Sequence, residues 1–213
     1  MAKIYLLTRP EHDDTTYYLS KWCEETIKLA TKKGLKVIDL HREKAVKEEF
    51  EERIDKLSPH LVVLNGHGDT DKVTGNNKEP ILVAGDNEGL LKDKIVYAIS
   101  CSSAKLLGPK SIEKGAINYS GYDDDFIFFY DPNNTTRPLS DETAKLFLEH
   151  SNLFIDSMIK GNTIRESKQR AENRLRENII KLSSSSSTDS NLVRFLWWDL
   201  VHFVSHGNQD IAI

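Results

Sequence analysis

The sequence predicts an α/β three-layer sandwich: one domain over residues 1–213, with helices on both faces of a mostly parallel central sheet. Three observations lead there. Short, β-rich apolar runs alternate with longer segments of helical periodicity. The connections between them are short, as strand–helix–strand units require. Two consecutive apolar runs, Leu61–Asn65 and Ile95–Ile99, each end in a small-residue turn that carries one reactive side chain, His67 and Cys101.

The elements follow in order. Lys3–Thr8 is an apolar run broken by Pro10, and reads as the first strand. Asp13 and Asp14 are N-cap candidates for a helix whose stripe is Tyr18, Leu19, Trp22, Cys23, Ile27, Leu29 and Ala30, with Gly34 as its stop. Cys23 lies on that stripe and reads as inert core. Lys36–Leu40 is a second strand, and Lys44–Lys56 a charged helix with Val46, Phe50, Ile54 and Leu57 on its apolar side. The strand Leu61–Asn65 comes next. Residues 69–85 are turn-rich and suggest a hairpin with Ile81–Ala84 as one arm; Gly89–Lys94 suggests a short helix. After Ile95–Ile99, a short helix is expected from Ser103 and a fifth strand over Gly115–Ser120. Asp141–Lys160 is an apolar helix that should pack on the sheet. Asn162–Leu182 is a charged helix with a narrow stripe of Ile164, Ala171, Leu175 and Ile179, its basic residues offset by Glu166, Glu172 and Glu177. The run Ser183–Ser187 reads as a flexible loop. Phe195–Trp198 and Leu200–Val204 are expected to close the core. No internal repeat is present.

Composition narrows the function. The chain has 213 residues, 38% of them hydrophobic, which is enough for a sizeable core. A net charge of −4, with basic residues scattered among acids, gives no footprint for nucleic acid. No apolar run approaches the ~20 residues of a membrane span, and the first ten residues are too short and too soon broken for a signal peptide. With 2 cysteines there is no disulfide framework, so a reducing cytoplasm is the expected setting.

The chemistry lies in the matched strand ends. If the two strands are neighbours, His67 and Cys101 stand side by side at the carboxyl edge of the sheet, where open parallel sheets place their sites. A thiol attacks as thiolate, and an imidazole can take its proton. A helix beginning at Ser103 would add its positive end. The backbone N–H groups of Gly68 and Cys101 are candidate oxyanion donors, and Gly68 lets substrate backbone approach closely. Taken singly, a histidine after a strand is usually a hydrogen-bonded loop residue and a strand-end cysteine is usually core. Their equivalent positions favour function. A metal set of His67, Cys101 and His12 lacks the close ligand pairs usual for zinc, and no cofactor is expected. A phosphate loop is excluded, because Gly75–Lys78 neither follows a strand nor has the required spacing.

The apolar strand ending in Gly66-His67-Gly68 and the apolar strand ending in Ser100-Cys101-Ser102-Ser103-Ala104 resemble the caspase-hemoglobinase fold. The likeness is closest to separase, gingipain, clostripain and the bacterial CHAT peptidases. The ending Val204–Asp210 is similar, in weaker form, to a Gly-Asp-Pro-like terminal motif of gingipain-type domains. The resemblance is convincing over Lys3–Ser120 and looser in the C-terminal third. It implies a thiol protease, a hydrolase of protein or peptide substrates with His67 as base and Cys101 as nucleophile. The caspase pentapeptide around the cysteine is absent, which argues against aspartate-directed cleavage.

In such peptidases the pocket before the scissile bond is lined by the loops after the first, fourth and fifth strands. Here those loops carry Asp13 and Asp14, Ser100, and Asp123, Asp124 and Asp125. Acids there would select Arg or Lys. The other reading has Asp13 and Asp14 capping a helix and the acidic run forming a solvated turn. The resemblance also allows a regulatory protein partner and self-processing in the polar loops 131–138 and 183–190. The competing function is a non-catalytic signalling or scaffold module on the same fold, which a mutated His–Cys pair would favour; this pair is intact. A flavodoxin-like binding domain would need a phosphate loop after the first strand, and Thr8-Arg9-Pro10-Glu11 lacks glycine there.

Overall fold

The computed structural model describes residues 2–184 and 188–213. In chain order the elements are β1 (Ile4–Arg9), α1 (Asp14–Lys32), β2 (Lys36–His41), α2 (Lys47–Leu57), β3 (Leu61–Asn65), β4 (Gly68–Asp69), β5 (Lys72–Thr74) and β6 (Pro80–Val83). Then come β7 (Ile95–Ile99), α3 (Leu107–Glu113), β8 (Asn118–Tyr122), α4 (Glu142–Ile159), α5 (Ile164–Ser184), α6 (Val193–His202) and β9 (Phe203–Gly207). The central sheet has the order β2-β1-β3-β7-β8-β9; its first five strands run parallel and β9 runs antiparallel to β8. This is the three-layer, mostly parallel sandwich expected from the sequence.

Alternation along the strands divides the core. Tyr5, Leu7, Val63 and Tyr97 meet Tyr18, Trp22 and Phe154 on the α1 and α4 side. Leu6, Val62, Leu64 and Val96 meet Phe50, Ile54 and Leu107 on the α2 and α3 side. Every residue of β3 and β7 is buried, which is why both read as unbroken apolar runs. A third cluster, built on Phe147, Leu175, Leu196 and Leu200, joins α4, α5 and α6. Helix α5 carries the expected acid–base pairs, Lys168 with Glu172, which is part-buried, and Arg174 with the exposed Glu177.

The structure corrects several expectations. No helix starts at Ser103; the chain turns there and α3 begins at Leu107. The fifth strand is Asn118–Tyr122, because Gly115, at φ +100°, first closes the α3 exit by donating to the Ile112 carbonyl (2.9 Å). The turn-rich segment is a three-stranded antiparallel sheet, β4-β5-β6. The helix expected from Lys44 starts at Lys47, after a 3-10 turn over Arg42–Lys44. Glu88–Leu91, in place of Gly89–Lys94, is a 3-10 turn. Of the serine run, Ser183 and Ser184 belong to α5, and residues 185–187 lie outside the described residues. The 195–204 segment closes the core through Leu196, Leu200 and Phe203, with Phe195 and Val204 partly buried against it; Trp197 and Val201 are 50% and 59% exposed. Among the described residues no helix is long and apolar enough to cross a membrane.

One buried polar clasp ties the end of β3 to the end of β1. Asn65, fully buried, donates from Nδ2 to the Thr8 carbonyl (2.8 Å) and from its backbone N–H to Thr8 Oγ1 (3.0 Å). Its Oδ1 accepts the Cys23 thiol (3.4 Å). Truncation leaves a buried carbonyl and a thiol unpaired. Asn65→Ala is therefore expected to destabilise the fold by about 1–3 kcal/mol, read as a lowered urea midpoint. An unchanged midpoint would show that the clasp carries no net stability.

Candidate active site

The sheet register brings the two turns together. Asn65 pairs with Ile99 in the parallel β3–β7 ladder, and the Gly66 N–H continues it to the Ile99 carbonyl (3.4 Å). Two positions further along each chain stand His67 and Cys101. The glycines that flank His67 are required sterically. A Cβ on Gly66 would lie 2.0 Å from the Thr74 carbonyl oxygen, and one on Gly68 would lie 2.4 Å from the Cys101 carbonyl oxygen. The backbone at Gly68 thus lies directly against the backbone of Cys101. The Thr74 N–H donates to the His67 carbonyl (2.8 Å), so the small sheet holds this turn from the other side.

The His67 ring is set by Asp13. Asp13 caps α1: its Oδ1 accepts the Thr16 N–H (2.9 Å), while Thr16 Oγ1 accepts the Asp13 N–H (3.2 Å). Its other oxygen meets His67 Nε2 at 2.6 Å. Burial opposes ionisation of Asp13, but the hydrogen bonds from Thr16 and His67 hold its carboxyl down at about 2. A carboxylate can only accept, so His67 Nε2 carries the proton and Nδ1 is the basic nitrogen. His12 lies beside this pair, with ring centroids 5.8 Å apart, and Lys78 Nζ is 4.0 Å from Asp13 Oδ2.

Cys101 is half-buried, and its thiol donates to the Phe126 carbonyl at 3.8 Å. Burial pushes the thiol up; the Phe126 contact works the other way, and the carboxyls of Asp125 and Asp199 add to the rise. The expected helix dipole is absent, since α3 begins six residues later. The resting thiol is therefore protonated at neutral pH. Ser102 adopts φ +55°, a strained position for a residue with a side chain. Its N–H donates to the Asp124 carbonyl (2.8 Å) and that of Ala104 to the Tyr122 carbonyl (2.9 Å), fixing the turn to the exit of β8. The Cys101 N–H has no acceptor among the described residues.

The remaining sequence candidates separate. Asp13 serves α1 and His67, and Asp14, exposed, accepts the Tyr130 hydroxyl (3.0 Å). Ser100 is buried and donates to Ser103 Oγ (2.8 Å). Asp123 pairs with His202 Nδ1 (2.7 Å), and Asp124 Oδ1 accepts the Asp125 N–H (2.8 Å). Asp125 alone of the acidic run is exposed and acts on the thiol. Asp199 escaped the sequence reading. It is fully buried, accepts the Ile127 N–H (3.0 Å), and has no hydrogen-bond partner for Oδ2 among the described residues. Burial raises it well above the carboxylate range. The available signal was an acid inside the apolar run Phe195–Val204.

No protein-family model matches the sequence, and no curated protein is similar to it at sequence level. Solved structures are similar to it in fold. The Arg-specific cysteine proteinase gingipain R (RgpB) superposes with a TM-score of 0.66 at 9% identity, over 99% of this chain and 47% of that one. A complex of Porphyromonas gingivalis RgpB pro- and mature domains gives a TM-score of 0.64 at 8% identity, over 99% and 48%. The chain spans about half the length of these structures. The likeness shows the fold, which is the gingipain-type, caspase-like sandwich.

The two cysteines are expected to react very differently. Cys23 is buried, and burial drives its thiol up to about 12. Iodoacetamide should label Cys101 selectively in the native protein, faster as pH rises. Asp125→Asn removes a charge that raises the thiol, so labelling at pH 7.5 should quicken, by up to about fivefold for an exposed charge. Peptide mapping by mass reads both; preferential labelling of Cys23 would contradict the accessibility argument.

Proposed function

We propose that this chain is a cysteine endopeptidase in which Cys101 is the nucleophile and His67 the general base, cleaving after Arg or Lys. One observation carries the reading. The β3–β7 register and the Gly68–Cys101 contact bring the two turns together while Asp13 leaves His67 Nδ1 free to accept a proton. His67 Nδ1 takes the thiol proton as Cys101 Sγ attacks the scissile carbonyl carbon. The N–H groups of Cys101 and Gly68 receive the oxyanion. The imidazolium then protonates the leaving amine, giving a thioester that water, activated by His67, hydrolyses. A protonated resting thiol suits this order, because the nucleophile forms only when substrate draws the proton to His67.

The basic preference is supported by Asp125, the exposed acid acting on the thiol, and by the specificity of the gingipain neighbour. The pro- and mature-domain complex supports a regulatory protein partner for this chain as well. Two free cysteines accord with a reducing cytoplasm.

A fluorogenic panel with Arg, Lys, Asp or Leu before the cleaved bond tests specificity. Arg and Lys are expected to exceed Leu, and a preference for Asp would remove the acidic-pocket reading. His67→Ala should lower kcat/KM by about 10²–10⁴ with an unchanged circular dichroism spectrum. Normal cleavage by that variant would dismiss the base assignment, and no cleavage of any substrate by the wild type would favour a non-catalytic module.

A further inference from the structure

His12 is the side chain in this region for which the proposed chemistry has no use. Its ring is largely buried, and neither nitrogen has a hydrogen-bond partner among the described residues. Buried imidazoles are normally paired. Here Nε2 stands 3.6 Å from Asp13 Oδ2, beyond hydrogen-bond reach. The same carboxylate oxygen is 2.6 Å from His67 Nε2, and the ligand atoms of all three residues lie within 4.8 Å of one another. We infer that His12, Asp13 and His67 form a binding site for a divalent transition-metal ion of the zinc type, and that an ion bound there withdraws His67 from base chemistry.

The donor set and spacing fit. Zinc binds imidazole nitrogen and carboxylate oxygen at about 2.0–2.2 Å, so neighbouring donors of a tetrahedral ion stand about 3.3 Å apart. The two observed separations, 2.6 and 3.6 Å, bracket that value. The third pair, His12 and His67, lies within 4.8 Å, so closing the site requires the two rings to turn towards a common point. Two imidazoles and one carboxylate are borderline donors that select zinc-like ions over magnesium or calcium. His12 and Asp13 come from the β1–α1 loop and His67 from the end of β3, so the ion would bridge two loops and keep one position open to water. Lys78 Nζ, 4.0 Å from Asp13 Oδ2 on an exposed side chain, competes for the same oxygen.

The consequence for catalysis rests on the peptidase reading. Without metal, Asp13 holds the ring proton on Nε2 and leaves Nδ1 as the base. Coordination through Nε2 moves that proton to Nδ1 by way of solvent, and Nδ1 can then accept nothing from Cys101. The ion thus acts on the tautomer of His67 and leaves the thiol itself untouched.

Cobalt(II) serves as a visible probe. Titration of the metal-free full chain should give tetrahedral d–d absorption saturating at one ion per chain and displaced by zinc. His12→Ala, and His12→Gln as a closer match in size, should each weaken binding at least about tenfold. Lys78→Ala should tighten it about two- to fivefold by removing an exposed competing charge. In parallel, zinc should suppress cleavage by the wild type and spare His12→Ala. Absence of a stoichiometric cobalt spectrum, or equal binding by both His12 variants and the wild type, overturns the site. Equal zinc inhibition of wild type and His12→Ala overturns the tautomer switch, because the ion then acts elsewhere. A wild type that binds cobalt and cleaves no peptide upholds the site and removes the peptidase reading, so the two failures are distinguishable.

Discussion

The parallel pairing of β3 with β7 is the constraint on which the site depends. A parallel ladder fixes the relative height of two strand ends as firmly as it fixes their hydrogen bonds. With Asn65 opposite Ile99, the turns after the two strands start level, and the backbone at Gly68 closes onto that of Cys101. A one-residue slip would exchange the buried faces of a strand with no exposed position, so the register cannot relax without losing the core. The placement of His67 and Cys101 is thereby stabilised by the same apolar burial that stabilises the sheet.

The β1–α1 loop is the second fixed part, and charge holds it there. Arg9, nearly buried, grips Asp39 through Nε (2.9 Å) and Nη2 (2.6 Å) and donates to the Ser20 carbonyl (3.2 Å). Burial opposes ionisation of Glu11, but His41, Arg42 and Ser20 hold it at about 2. These contacts anchor the loop on β2 and α1. Asp13, two residues beyond Glu11, can then cap α1 and reach His67 at once. An acid charged and oriented by three hydrogen bonds is a defined acceptor, and that definition sets the His67 tautomer. It also makes the loop a donor to any ion that can displace the ring proton.

The environment of Cys101 is of the opposite kind. Half-burial, Asp125 and Asp199 all favour the neutral thiol, and no helix end opposes them. As a proposed nucleophile, a thiol held protonated depends on His67 to draw off its proton. Under the proposed mechanism, control of His67 is control of the whole reaction, which is why a metal competing for that ring would be an effective switch.

Periodicity alone determined the sandwich. The unbroken apolar runs of β3 and β7, the stripe through Tyr18, Trp22 and Ala30, and the alternation with helices all report local burial, which sequence patterns encode directly. The matched endings around His67 and Cys101 were legible because glycine and serine mark turns. Other features depended on contacts between distant segments. Asp13 read equally well as a cap or a pocket acid until the sheet placed His67 against it. The start of α3 falls later than its sequence suggests, because the Leu107 N–H, which a helix from Ser103 would direct to the Ser103 carbonyl, donates instead to the Thr70 carbonyl. The identity of β9 as a strand depends on pairing with β8, and the burial of Asp199 and the idle ring of His12 depend on what packs around them. None of these has a periodic signature; each is settled by which segments the tertiary structure brings into hydrogen-bond reach.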